Sequence, residues 1–275
     1  VFLGLITTII LTRYLGVLAF GQLNLIFAYL GIVSTFADFG LTTILAREEA
    51  RSRVKDSFVN AVFTLRIILT ITTLLIFIIL SFFLYSKQII FGIMIYSFAS
   101  FFLLFYNMIF SLFQARLIME KHMISQISGS FLTLLATVLF IYLKLPFLWI
   151  VGAQVVGNVI IVMVGLRLLG RKISFNINVS VFKEILKNAS PIFASSIIAV
   201  LYWRLDIIIL SLFKDPNVLP DVGIYSTAYR VFEVFIVFGT FLTNALFPVF
   251  VQRIDNKNFP RLFMESIVLS LITSV

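Results

Sequence analysis

Apolar residues run along this chain in blocks too long and too continuous for an amphipathic helix or a half-buried strand. A stretch such as LTITTLLIFIILSFFL shows no alternation, so it does not read as a strand of a transmembrane barrel. A helix that crosses a bilayer needs about 20 mostly apolar residues. The pattern predicts nine such spans, the first and last partial: 1–12, 21–45, 58–83, 88–113, 124–143, 147–168, 189–213, 222–250 and 263–275. The expected class is therefore all-α, a polytopic helical membrane protein. Both ends fall inside apolar runs and no Met leads, so a piece of a longer protein is expected. The first run lacks the basic flank and cleavage site of a signal peptide.

Charge gives the orientation. Four polar segments, around Arg47–Lys55, Arg116–Lys121, Arg167–Lys187 and Arg253–Arg261, hold 14 of the 21 Lys and Arg residues. The alternate segments hold only Arg13, Lys87, Lys144 and Lys214. Basic residues mark the cytoplasmic side, so the first set faces inward. Net charge +9 then reports inner loops rather than an affinity for nucleic acid. The longest inner loop, about 169–188, contains an amphipathic stretch, Val181–Leu186, expected on the inner membrane surface. That loop also suggests a lobe boundary, with 1–188 as a first lobe and 189–275 as the start of a second. Shifting the chain by 202 residues lays Gly21 on Gly223, Phe36 on Phe238 and Arg51 on Arg253. Either this is an internal repeat or it is the chance likeness of two apolar helices.

The three remaining basic residues, Arg66, Arg204 and Arg230, lie within spans. An ionised side chain at that depth is costly and normally faces a cavity or a partner. Asp206 shares the seventh span with Arg204, and Glu233 shares a helix face with Arg230. Arg230 is expected to meet Asp206 across the short 214–221 connection, leaving Arg204 for a ligand. The plain alternative is an ion-pair network that only joins helices. Arg66 either lines a cavity or snorkels to the inner surface. Asp38 is a gating or protonatable carboxylate, or simply a solvated helix end. Pro191 is read as opening the seventh span and Pro248 as ending the eighth. His122 is read as a solvated loop residue. With no cysteine, one histidine and no phosphate-binding GxxxxGK[ST] loop, neither a metal centre nor a cofactor nor hydrolysis of ATP at a P-loop is expected.

Three stretches carry a resemblance. They are RYLGVLAFGQLNLIFAYLGIVSTFADFGLTTILAREEAR, NASPIFASSIIAVLYWRLDIIILSLF and VGIYSTAYRVFEVFIVFGTFLTNALFPVF. In order and spacing they resemble the polysaccharide-biosynthesis membrane proteins, the Wzx-type O-antigen flippases of the MOP (MATE-like) exporter superfamily. The matching positions are Arg13, Leu15, Gly16, Phe20 and Gly21, then Asp38, Phe39, Gly40, Arg47 and Glu48. In the second lobe they are Pro191, Asp206, Gly223, Tyr225, Ala228, Tyr229, Arg230, Glu233 and Pro248.

The resemblance implies a two-lobed, MATE-like bundle of twelve to fourteen spans, of which about nine lie here. It also implies transport of a polyprenyl-pyrophosphate-linked oligosaccharide across the cytoplasmic membrane of a prokaryote. Arg66, Arg204, Arg230 and, more weakly, Arg13 would meet the pyrophosphate. Asp38, Asp206 and Glu233 would balance charge or couple transport to an ion. Membrane lipids and the glycan polymerase machinery would be its partners, with no nucleic acid. The rivals are a lipid-II-type flippase, a MATE-like exporter of small molecules and, from another class, a membrane enzyme of glycan assembly.

Overall fold

In a segment such as 56–84, Ile, Thr and Phe outnumber good helix formers. In lipid, however, each backbone N–H and C=O must find a partner within the segment, which overrides weak propensity. The computed structural model accordingly holds helices and, among the described residues, no strand. It describes residues 2–52, 54–171, 173–213, 219–226, 228–229 and 250–251. The elements are α1 (Phe2–Asp38), α2 (Leu41–Ser52), α3 (Asp56–Leu84), α4 (Lys87–Ala115), α5 (Met119–Tyr142), α6 (Phe147–Leu169) and α7 (Val179–Leu212). Residues 219–226 form a further helical segment. All but α2 are long and apolar enough to cross a membrane. The 29 residues of α3 and of α4 reach about 44 Å, and the 24 of α5 and 23 of α6 about 35 Å.

The fold corrects several expectations. The first two spans are not joined by a loop over 13–20. One residue, Gly16, breaks α1 at φ 68, ψ 176, backbone geometry open almost solely to glycine. The second span stops at Asp38 rather than 45, and a new helix begins at Leu41. His122 lies inside α5, where its Nδ1 is 2.9 Å from the Tyr106 hydroxyl. Pro191 lies in the interior of α7, which starts twelve residues earlier at Val179. Ser190 donates to the Lys187 carbonyl at 3.0 Å, the acceptor that the missing proline N–H would have used. Val181, Phe182 and Leu186 pack on a protein core around the buried Ile185, so their apolar face is spent on protein rather than lipid. Of the eighth span only residues 222–226, 228–229 and 250 are described; its remainder, with Pro248, and the ninth span lie outside the described residues.

Two ends of the bundle are recognisable. The core around Phe63, Leu112 and Phe113 gathers Val54, Ile118 and Ile173, all next to the basic segments assigned to the inside. Two further cores gather Tyr85, Phe147 and Leu219, next to the weakly charged segments assigned to the outside. Between them α5 and α6 meet at glycines: a β-carbon on Gly129 would lie 2.7 Å from the Gly157 carbonyl oxygen. Such small-residue contacts let helices associate where the lipid supplies no hydrophobic drive. Ile79, Phe83, Phe131 and Leu139 stay exposed on the perimeter, as a surface bathed in lipid allows.

Candidate functional site

Arg66 sits ten residues into α3, about 15 Å along the helix axis from its inner end. Its side chain is only 1% exposed, and all three of its guanidinium nitrogens donate hydrogen bonds. Nε and Nη2 both donate to the Leu104 carbonyl of α4 at 3.2 Å. Nη1 donates to the Ala37 carbonyl at 3.1 Å and to Asp38 Oδ1 at 2.6 Å. A buried cation is tolerated when a counter-charge and hydrogen bonds surround it, and both are present. In this conformation the guanidinium ties the end of α1 to α3 and α4 and presents no surface to a ligand.

Asp38 does more than balance that charge. Its Oδ2 accepts the Gly40 amide at 3.1 Å, and its Oδ1 accepts the Thr42 hydroxyl. Phe39 and Gly40 follow with φ of 47° and 76°, so the chain turns through two left-handed residues between α1 and α2. The cost of the non-glycine residue there is set against a contact: the Phe39 ring stacks on Phe193 of α7, centroids 4.0 Å apart. Phe36 reaches the same ring at 5.6 Å. A β-carbon on Gly40 would lie 3.1 Å from Ile192 and 3.2 Å from the Ala189 carbonyl oxygen. Two separate sequence signatures, ADFG and ASPIF, are therefore one packed unit.

At the other end of α7, Asp206 accepts the Ile207 amide at 2.8 Å through Oδ1 and the Tyr225 hydroxyl through Oδ2. Tyr225 in turn stacks with Tyr229 at 5.8 Å. The expected partner of Asp206, Arg230, lies outside the described residues, as does Glu233. Arg204 is on α7 two positions before Asp206, and its side chain lies outside the described part. Arg13 is exposed near the Gly16 break. The structure thus joins Arg66 to Asp38 and Asp206 to Tyr225, and does not bring Arg13 to either pair.

Sequence reading missed one buried acid. Arg47 and Glu48 pair with each other at 2.9 Å on a partly exposed face. The enclosed carboxylate is the next residue, Glu49, 1% exposed, with Oε1 held by Arg116 at 2.7–2.8 Å. Its place on the inward face of the short α2 is the only local signal, and it appears once the helix start at Leu41 is known. Among the described residues no cluster of three or more His, Asp or Glu forms a metal-binding group.

These features can be set beside known proteins. A family model described as "Polysaccharide biosynthesis protein" matches residues 1–253. No curated protein and no solved structure matches the chain.

Proposed function

The chain belongs to the polysaccharide biosynthesis protein family, and from that premise we propose that it is a flippase for polyprenyl-pyrophosphate-linked oligosaccharide. The cargo would be a repeat unit of O-antigen, capsule or exopolysaccharide, carried from the inner to the outer leaflet of a prokaryotic cytoplasmic membrane. The observation that carries the reading is the pair of arginines, Arg204 and Arg230, that the sequence sets inside apolar runs of a chain of this family. A pyrophosphate cannot cross hydrocarbon unaided, and guanidinium suits bidentate phosphate contacts. Arg66 is already matched by Asp38, so its part is positional. Arg204, Arg230 and, at the outer end, Arg13 are assigned to the anion. Asp206 and Glu233 balance these cations between steps, and the lobes 1–188 and 189–275 rock about the site. The lipid tail stays in the bilayer, and polymerase machinery receives the product.

A small-cation exporter fits less well, because intramembrane cations repel such cargo. An enzyme of glycan assembly would need catalytic groups at the outer face, where the segments 85–86 and 143–146 are short. A lipid-II-type flippase shares the same anion chemistry and differs in the sugar.

The test is complementation of a flippase-deficient bacterium by the full-length gene, with surface glycan compared at matched membrane protein levels. The reading expects rescue by wild type and loss with Arg204→Ala or Arg230→Ala. Equal rescue by both variants would sink the phosphate assignment.

A further inference from the structure

The uncovered side of α7 carries two stripes of different chemistry. Ile198, Leu205, Ile209 and Leu212 are exposed and apolar. Ser195, Ala199, Tyr202 and Asp206 recur four, three and four residues apart, so they line up along one strip of the helix. Ser195, Ala199 and Tyr202 are exposed, Tyr202 at 79%, and Asp206 is half-buried. Tyr202 lies ten residues before the outer end of α7 at Leu212, about 15 Å along the axis. That is the middle of the apolar run 189–213, too deep for the tyrosine belt that marks the edges of a membrane. A phenol there and a carboxylate one turn on are costly in hydrocarbon. The apolar stripe therefore suits lipid, and the polar stripe suits a water-filled cavity.

Aromatic rings from the next helical segment meet this polar stripe. Tyr225 donates its hydroxyl to Asp206 Oδ2, while the Ile207 amide donates to Oδ1 at 2.8 Å. One turn further along, the Tyr229 ring centroid lies 5.8 Å from that of Tyr225, the planes 28° apart. The carboxylate and the second ring together fix the tilt of Tyr225, which remains 39% exposed. Two aromatic faces, Tyr202 and Tyr225, are thus presented next to hydroxyls and a carboxylate. The combination matches the two surfaces of a pyranose. Its face of C–H bonds packs on an aromatic ring, and its rim of hydroxyls needs hydrogen-bond partners.

We infer that Tyr202 and Tyr225 form a stacking platform for a sugar ring of the cargo, with Asp206 as the positioning residue that holds Tyr225. The inference rests on the transport reading above and gives the glycan a subsite of its own, apart from the arginines assigned to the pyrophosphate. The rings accept any sugar that offers a C–H face. Discrimination between sugars falls to the hydroxyls and carboxylate at the rim, because a polar group left unpaired there rejects the wrong partner.

The test measures binding to the full-length protein in nanodiscs with two probes. One is undecaprenyl pyrophosphate without sugar. The other is the lipid-linked repeat unit that accumulates in cells from which the gene has been deleted. Wild type is expected to bind the sugar-bearing probe more tightly. Tyr202→Leu and Tyr225→Leu are each expected to weaken that binding by roughly fivefold to tenfold, the scale of one aromatic contact, and to leave the sugar-free probe unchanged. Tyr202→Phe keeps the ring and should keep most of the affinity. Tyr202, at 79% exposed, serves alone if the Tyr225 variant does not accumulate. Equal weakening of both probes, or of neither, would overturn the platform, as would a phenylalanine variant that loses as much as the leucine one. If wild type binds the sugar-free probe and gains nothing from the sugar, the platform falls and the pyrophosphate reading stands. If wild type binds neither probe better than undecaprenol, both fall.

Discussion

Asp38 and Arg66 form a unit whose value shows only when one partner is removed. Asp38→Asn leaves a guanidinium 1% exposed with its counter-charge gone. Breaking a buried pair costs about 3–5 kcal/mol, and the lower end, about 3 kcal/mol, is expected because Asp38 itself is 27% exposed. Arg66→Met combined with Asp38→Asn should restore much of the loss, since no unpaired charge remains. Thermal unfolding of the detergent-purified variants measures this. Strict additivity of the two single effects would mean that the pair is not coupled. Nothing in the sequence announced this pairing. The residues are 28 apart and on different helices, and a carboxylate at a helix end reads as solvated until the arginine that reaches it is placed.

The turn between α1 and α2 offers a test at the level of elements. Gly40 combines φ +76° with Ile192 and Ala189 close by. A side chain there costs roughly 1–2 kcal/mol for the left-handed backbone alone, and more if α7 must shift. Gly152 sits in α6 with its nearest neighbour 3.9 Å from a β-carbon. Gly40→Ala should therefore lower the unfolding midpoint, and Gly152→Ala should leave it unchanged or raise it, because alanine is the better helix former. Among the described residues the sequence was a sound guide to which segments form helices long and apolar enough to cross a membrane, because lipid leaves an apolar 20-residue run little choice but to be helical. It was a poor guide to helix ends. Gly16 reverses expectation by making a one-residue break where a loop was read. Pro191 is accommodated inside α7 with help from Ser190, and Val181–Leu186 looks like a surface helix only until its apolar face meets the inner core. In each case tertiary packing decides what local pattern leaves open.

Over the whole molecule, the uneven spread of basic residues and the clustering of turns at two ends describe one orientation. Lys144, in the α5–α6 turn, is exposed at the outer end, and Phe175, 78% exposed, follows α6 at the inner end. In intact cells Lys144→Cys should react with an impermeant thiol reagent, whereas Phe175→Cys should react only after the membrane is opened. The reverse pattern would invert the topology and with it the direction of transport. Letters alone offer the 202-residue register only as an alternative to chance, since apolar helices resemble one another; the structure adds that Gly21 and Gly223 approach closely, a β-carbon on Gly21 lying 3.1 Å from the Gly223 nitrogen.

The unequal lengths of the helices bear on the lipid around them. The α3–α4 hairpin is five or six residues longer per helix than α5 and α6, an excess of roughly 8 Å at 1.5 Å per residue. One bilayer cannot match both. Even the shorter pair, at about 35 Å, exceeds the roughly 30 Å hydrocarbon core, so the long hairpin has to lean or project further than its neighbours, each ångström of mismatch costing a fraction of a kcal/mol. Helices of one bundle thus meet the same bilayer with different excess length, and bilayer thickness becomes a variable that bears on how they stand.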